Sequence, residues 1–459
     1  MKNKIYLSLS SLALSFSAMS ADLAEIFTQS ETHDPQLSAA KYTLNASAEG
    51  KKQAFAAFLP QITGTWGRTK GDNVNGGSLI PFQTFDINTT RWNVGIAQSL
   101  YSHSNYVNYK IAKLQVLKSI ADYDIAYQDF ILRVAQSYFN VLAANDNLVF
   151  SKAEEKAIQR QLDQAEQRFE VGLAAITDVH ESRARFDSAR AAVILANNQL
   201  EDAKEALFEI SQKYYDDLSL VPDNVDFDRF QLLPMEEYQE TSIQKNPDLA
   251  ASKFNAEIAE RQISLTRAGH YPTVSLNFSR NNSLNPNATF PITSSVPDPN
   301  NPGQSIDITT FVETDQTSET NTVSLNVNVP IYSGGRTSSQ VRQAALQHRA
   351  ATDRYEQIRR GTVRQVRNAY HGTIAAESSV QARYLAMVSA KSGLEATEAG
   401  YEVGTRTIVD VLLSQRSYYQ SQRDYSKAKY DYFIQFLGLK RASGNLTEDE
   451  ILAINKILD

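Results

Sequence analysis

The residues that could carry chemistry in this chain form no catalytic pattern. Six histidines are scattered over the 459 residues, no HExxH zinc motif occurs, and the chain has no cysteine, which excludes thiol catalysis and thiolate metal sites. The glycine-rich stretch YSGGR, residues 332–336, lacks the Lys-Ser/Thr pair of a phosphate-binding loop and is interpreted as a turn between a strand and a helix. The sequence therefore predicts no enzyme, no cofactor and no metal site.

Two carboxylates occupy equivalent places in a repeated stretch. RFEVGLAAITDV begins at Arg168 and GYEVGTRTIVDV begins at Gly400, 232 residues later, so that Asp178 corresponds to Asp410. Each carboxylate follows a glycine turn and lies in the first turn of a predicted helix, where it can accept hydrogen bonds from free N–H groups and complement the helix dipole. Alternatively, several copies around a pore would form an acidic ring that attracts cations. The residues alone leave both interpretations open.

The repeated stretch is part of a duplication of the whole chain. Other matching pairs are DPQLSAA (34–40) with NPDLAAS (246–252), SLYSHS (99–104) with PIYSGG (330–335), and YFNVLAA (138–144) with YHGTIAA (370–376). In each half, apolar spacing predicts the order helix, two strands, very long helix and second helix. The long helices, of about 67 residues, would span about 100 Å, and two shorter helices laid end to end would cover the same length. Such lengths suit coiled-coil pairing.

The predicted boundaries divide the chain into a signal peptide and two repeats. Residues 1–20, a short basic region followed by an apolar run, are expected to be a secretory signal peptide, cleaved after Ser20 or Ala21. The first repeat, 21–232, is expected to contain a helix over about 23–58, strands over about 59–70 and 89–101, a long helix over about 103–170 and a helix over about 177–212. The second repeat, 233–459, is expected to contain a helix over about 235–269, strands over about 271–283 and 320–332, a long helix over about 337–402, a helix over about 407–440 and a C-terminal belt segment.

The predicted strands alternate apolar and small polar residues, as in TVSLNVNVPI (322–331). This alternation is typical of a membrane barrel wall with lipid on one side and water on the other. Four strands cannot close a barrel, since the smallest barrels need about eight. The strands therefore form either a half-buried sheet in a soluble domain or part of a barrel that several chains share. The polar segments 71–86 and 285–319 are predicted to be surface loops.

Composition narrows the class of protein further. The net charge of −7 argues against nucleic acid as a partner. A soluble periplasmic coiled-coil protein, such as an adaptor, would lack the four alternating strands and the duplication. An ordinary porin would be mostly strand, whereas this chain is mostly helix.

The ordered set of motifs resembles the TolC family of outer-membrane efflux channels. The resemblance covers nearly the whole chain after the signal peptide and is carried by RFEVGLAAITDV, GYEVGTRTIVDVL, VPIYSGGR, SYFNVLAA and the duplicated element order. It implies a mixed α/β membrane protein that forms a homotrimer, in which a twelve-stranded β-barrel is continued by a twelve-helix periplasmic α-barrel. It also implies an outer-membrane location with a long periplasmic extension, in contact with outer-membrane lipid.

The resemblance further implies a function and partners. The chain would be a passive exit duct of tripartite efflux pumps or type I secretion systems, exporting drugs, detergents or polypeptides. Its partners would be a periplasmic adaptor protein and an inner-membrane pump of the RND, ABC or MFS type. The segments 213–232 and 441–459 would pack as a belt around the helical tunnel.

The same resemblance assigns roles to residues at the two repeated turns. Asp410 would face the pore constriction together with Leu413, which stands where well-known members carry a second Asp. A gate network would join Asp178 to the Tyr401 hydroxyl and Arg406 to Thr177 or nearby backbone. The tips that contact the adaptor would be Gly172, Leu173, Gly404 and Thr405. The alternatives are packing for Tyr401, a solvated charge for Arg406 and helix C-capping for the two glycines.

Overall fold

The computed structural model describes residues 20–77, 80–222, 230–300 and 302–458, so the predicted signal peptide lies outside it except for Ser20. The helices are α1 (Leu23–His33), α2 (Pro35–Ala56), α3 (His103–Glu170), α4 (Ile176–Ser211), α5 (Met235–Lys245), α6 (Pro247–Arg267), α7 (Arg336–Glu402), α8 (Ile408–Ser443) and α9 (Glu448–Asn455). The strands are β1 (Gln61–Gly77), β2 (Ile80–Tyr101), β3 (Thr273–Pro297) and β4 (Ser305–Asn328). The predicted duplicated order is confirmed. Each helix within the described ranges is too short or too polar to span a bilayer.

The chain divides into two compact units, each built from both halves of the sequence. Among the described residues, a helical unit comprises the chain up to Asn45, the segment Leu117–Phe254 and the chain from Thr352 onward, and a second unit comprises Ala46–Val116 and Asn255–Ala351. The core of the helical unit is an aromatic cluster in which Phe139 stacks on Phe433 with ring centroids 5.4 Å apart. The buried Tyr138 donates its hydroxyl hydrogen to the Ser219 carbonyl at 2.6 Å. Aromatic pairs of this kind contribute about 0.5–1.5 kcal/mol each beyond their buried area.

The helices that begin each repeat are interrupted, which corrects the prediction of single helices over 23–58 and 235–269. The breaks fall at Asp34 and Asn246, the residues before a proline in DPQL and NPDL. Proline disfavours helical backbone in the residue before it. Each side chain then caps the next helix: Asp34 Oδ1 accepts from Leu37 N at 2.7 Å, and Asn246 Oδ1 accepts from Leu249 N at 3.1 Å. The interruption is thus itself a duplicated feature.

The second unit contains one antiparallel sheet with the strand order β1-β2-β3-β4. Its strands are longer than predicted, because most of the polar segments 71–86 and 285–319 continue the ladder instead of forming loops. Asp72 pairs with Asp86 in the first hairpin, and Ser294 pairs with Ile308 in the second. Ladder hydrogen bonds join backbone groups, so polar composition does not prevent pairing. By contrast, β4 ends at Asn328 and not near 332, just before Pro330, which has no N–H to donate.

Apolar side chains of this sheet remain on its surface in the single chain. Trp66 pairs directly with Trp92 across β1 and β2, and 71% of the Trp66 surface is exposed. Along β4, the alternating apolar residues Val323, Leu325 and Val327 are all exposed. A soluble protein usually covers an apolar face of this size with another layer of structure.

Candidate functional site

The two repeated turns have the same backbone geometry at the ends of two helical hairpins of the helical unit. The first hairpin is α3–α4 and the second is α7–α8. At the first turn, Gly172 has φ +76° and Leu173 N donates to the Arg168 carbonyl at 2.7 Å. At the second turn, Gly404 has φ +79° and Thr405 N donates to the Gly400 carbonyl at 2.8 Å. Both are Schellman motifs. This motif requires a positive φ at the residue after the helix, which glycine adopts without steric cost.

The two turns differ in where they hold an arginine. In the second turn, the Gly400 carbonyl also accepts from Arg406 N at 3.2 Å and from Thr405 Oγ1 at 3.0 Å. A Cβ at position 400 would lie 2.8 Å from Arg406 Cγ, so glycine makes room for the arginine. The first turn has the reverse arrangement, with Arg168 at the position of Gly400 and Ala174 at the position of Arg406.

Asp410 takes part in a capping box at the start of α8. Asp410 N donates to Thr407 Oγ1 at 3.3 Å, while Asp410 Oδ2 accepts from Thr407 N at 3.0 Å and from Thr407 Oγ1 at 2.9 Å. These bonds, with a smaller contribution from the nearby Arg406 charge, lower the pKa of Asp410 below its ordinary value. The carboxylate therefore stays ionised at neutral pH. Leu413 follows one turn later and is half exposed.

Asp178 has the equivalent position in α4 but lacks this cap. The N-cap residue of α4 is Ala175, which offers no side-chain hydrogen bond, and Asp178 N donates instead to the Ala175 carbonyl at 3.1 Å. The helix begins at Ile176, one residue before the predicted start, and Thr177 is exposed in its first turn. The duplication thus preserves the carboxylate while only the second copy has the threonine that binds it.

Tyr401 and Arg406 do not make the predicted hydrogen bonds within one chain. Tyr401 packs, half-buried, against a small apolar cluster that contains Ile158 of α3 and Ile408 of α8. The Arg168 guanidinium lies over its ring, 5.0 Å from the centroid. Across the described residues, no hydrogen bond joins Asp178 to Tyr401 or Arg406 to Thr177 in a single chain.

The four predicted tip residues, Gly172, Leu173, Gly404 and Thr405, are all exposed. The turns are apolar as well as exposed: 71% of the Leu173 surface and 75% of the Val403 surface are accessible. An exposed apolar turn at the end of a helical hairpin is a surface on which another protein can dock.

Polar contacts hold each hairpin together and join the two. Within the first hairpin, Arg183 pairs with Glu166 at 2.6 Å. Within the second, Gln415 Nε2 donates to Glu398 Oε1 at 3.2 Å. Between them, Arg423 of α8 pairs with Glu154 of α3 at 2.8 Å.

Sequence reasoning missed three residues at this site. Thr407 was detectable, because the spacing of Thr407 and Asp410 fits a capping box. Gly400 is inside a helix, where glycine is disfavoured by about 1 kcal/mol, and this is a signal of close packing. The contact of Arg168 with Tyr401 has no local signal, since it depends on how the two hairpins pack.

A duplicated helix–sheet fold with paired helical turns defines the class of an outer-membrane channel, and comparison with known proteins supports this. The family profile described as outer membrane efflux protein matches residues 27–211 and 239–445. The chain belongs to the outer membrane efflux protein family. Outer membrane protein TolC of Vibrio cholerae serotype O1 is 36% identical over 449 residues, which cover 96% of this chain and 95% of that protein.

A second relative and a solved structure agree. Outer membrane protein TolC of Escherichia coli strain K12 is 32% identical over 458 residues, covering 99% of this chain and 88% of that protein. The crystal structure of the Campylobacter jejuni CmeC outer membrane channel superposes with a TM-score of 0.73 at 17% identity, covering 100% of this chain and 98% of that chain. The chain is therefore an outer-membrane efflux channel with a periplasmic helical extension, and it is a transporter without enzymatic activity.

Proposed function

We propose that three copies of this chain form one duct through the outer membrane and the periplasm. The observation that carries this proposal is the pair of geometrically equal turns, which gives each chain two matching hairpins to contribute to a ring. The sheet supports it as well, because β1 and β4 are its two edge strands in the described residues. Three four-stranded sheets joined at these edges form a closed sheet of twelve strands, which a single chain cannot form. Native mass spectrometry of the detergent-extracted protein is expected to show three chains.

The duct is passive and takes its cargo from an inner-membrane pump through a periplasmic adaptor. Such a pump, of the RND, ABC or MFS type, supplies the energy, in a tripartite efflux pump or a type I secretion system. Drugs, detergents or polypeptides are the cargo classes. The exposed turns at Leu173 and Thr405 are the adaptor contacts, since they are the ends of both hairpins.

Export can be tested in cells that lack their own outer-membrane efflux protein. The chain is expressed together with an adaptor and an inner-membrane pump, and intracellular accumulation of a fluorescent drug is measured. Accumulation of the drug is expected to fall when the wild-type chain is expressed. It is expected to stay high with the double variant Leu173→Asp and Thr405→Asp, which places a charge on both tips. Equal accumulation with and without the wild-type chain, despite correct insertion, would contradict the proposal.

The constriction is formed by Asp410 and Leu413 from each copy. The capping box does not conflict with this role, because both bonds to Thr407 use Oδ2 and leave Oδ1 without a hydrogen bond in the described part of the chain. Three carboxylates held ionised around one axis attract cations. Leu413 makes the constriction more apolar than a double acidic ring would be.

The gate is a set of hydrogen bonds between the second hairpin and its neighbouring hairpins, from Arg406 to Thr177 or nearby backbone and from the Tyr401 hydroxyl to Asp178. Its residues are exposed or half-buried at the two turns. Each has donor or acceptor groups that make no hydrogen bond to the described residues of the same chain. Charge-assisted bonds of about 1.5–3 kcal/mol each hold a closed state and still yield to a docking partner.

Removal of the arginine bond is expected to open the gate. Arg406→Ser should raise the time-averaged single-channel conductance, because the loss of one charge-assisted bond of at least about 1.5 kcal/mol raises the ratio of open to closed state about tenfold or more. The matched control is Lys427→Ser, which removes a positive charge from α8 far from the turn. Equal conductance in Arg406→Ser and wild type would remove Arg406 from the gate.

A further inference from the structure

In the last turn of α3, the side chain of Arg168 contacts the second hairpin. The Arg168 guanidinium carbon lies 5.0 Å from the centroid of the Tyr401 ring, which is near the C-terminus of α7. This separation is within the range of about 6 Å at which a cation is attracted to the negative face of an aromatic ring. Both side chains are partly buried, so the attraction is less screened than at a fully exposed site.

The backbone of the same arginine fixes the first turn. The Arg168 carbonyl accepts the Leu173 N–H at 2.7 Å and so closes the Schellman motif. Arg168 therefore ties the geometry of the first turn to the position of Tyr401 in the second hairpin. The link runs in one direction only, because the position equivalent to Arg168 in the second hairpin is Gly400, which has no side chain.

Tyr401 is well placed to transmit this link to the rest of the second hairpin. Its ring packs on the cluster formed by Ile158, Ala189, Ile408 and Leu412, against which Phe186 also packs. Ile408 and Leu412 belong to the first turns of α8, the helix that contains Asp410. A shift of the ring therefore moves the start of α8.

We propose that Arg168 is a positioning residue of the gate, which holds the second hairpin against the first within each chain through the ring of Tyr401. This inference rests on the proposed channel function, and it adds a contact of the Tyr401 ring to the hydrogen bonds proposed for the gate. The ring and the hydroxyl of Tyr401 then have separate tasks. The ring binds Arg168 of its own chain, and the hydroxyl binds Asp178.

The separation of tasks gives a sharp test in planar-bilayer recordings of the purified trimer. Arg168→Gln is expected to raise the ratio of open to closed dwell time about two- to fivefold, the factor that corresponds to one cation–π contact at a partly exposed site. The same factor is expected in a Tyr401→Phe background, which keeps the ring and loses the hydroxyl. In a Tyr401→Leu background, Arg168→Gln should change nothing further.

Rescue and control variants separate a positioning role from general destabilisation. Arg168→Lys keeps a cation over the ring and is expected to restore most of the wild-type dwell-time ratio. Arg183→Gln removes an arginine of the first hairpin whose partner Glu166 is in the same hairpin, and it should leave gating unchanged. The inference would be overturned if Arg168→Gln changed the dwell-time ratio equally in the Tyr401→Phe and Tyr401→Leu backgrounds. It would also be overturned if Arg168→Gln changed this ratio in no background. Failure of the wild-type trimer to conduct at all would instead count against the proposed function.

Discussion

Substitution of Gly444 by alanine is expected to prevent the helical unit from folding stably. Gly444 ends α8 with φ +78°, where an alanine costs about 1–2 kcal/mol. In addition, its Cβ would lie 2.6 Å from Asn246 Cα and 2.8 Å from the Lys245 carbonyl carbon. These are backbone atoms of the interruption between α5 and α6, which cannot move aside as a flexible side chain can. We expect a total loss of about 4 kcal/mol or more, which is exceptional for one methyl group.

The duplication provides a matched control for Gly444. The equivalent C-cap residue of α4 is Gln212, which also has positive φ, at 54°, but is exposed. Gln212→Ala should therefore change stability little, and Gln212→Gly should stabilise by up to about 1 kcal/mol by relieving the left-handed backbone. Thermal unfolding of the detergent-solubilised protein measures all three variants. A Gly444→Ala protein with the wild-type melting temperature would refute the close contact at Asn246.

Substitution of Asp34 by alanine is expected to be the second most damaging change. The Asp34 carboxylate is buried, caps α2 through Leu37 N and forms an ion pair with Arg133. Loss of the cap costs about 1 kcal/mol, and a charge left without its partner in a buried site costs about 3–5 kcal/mol. Because 28% of the Arg133 side chain is exposed and it also donates to Gln36, the lower end of that range applies. The expected total is about 3–4 kcal/mol.

Asp34→Asn separates the two contributions. The second repeat has Asn246 at the equivalent position, and its amide oxygen caps α6 in the same way. Asparagine at 34 should therefore retain the cap and lose only the charge pair, so that its melting temperature falls between those of wild type and Asp34→Ala. If Asn and Ala lowered the melting temperature equally, the cap would contribute nothing at this position.

The sequence predicted the element order because duplication and hydrophobic period are properties of the chain itself. The prolines that follow Asp34 and Asn246 are a signal for the helix breaks at these residues. This signal was missed because the residues on both sides have a composition typical of helices. Strand ends were not predictable, because Asp72 and Ser294 pair through backbone atoms that any residue supplies. The motifs located the two repeated turns, whereas the Arg168–Tyr401 contact arises only when two helices distant in sequence pack together.

The capping box at Asp410 is compatible with the proposed position of this carboxylate in the pore. A carboxylate with one oxygen bound to Thr407 stabilises the start of α8, and its other oxygen remains available to solvent or a cation. In the first repeat, Ala175 provides no such cap for Asp178. The two copies of the motif have therefore diverged at the cap and not at the carboxylate.

We propose that this chain forms a cation-attracting duct whose narrowest part includes Asp410. The most direct test is single-channel current from the purified trimer in a planar bilayer, for wild type and Asp410→Ala. We expect a small, cation-preferring conductance in wild type and a reduced preference, seen in the reversal potential under a salt gradient, in the variant. An unchanged reversal potential would place Asp410 away from the pore. The duct itself would be contradicted if correctly assembled trimers of the wild type, Asp410→Ala and Arg406→Ser all carried no current.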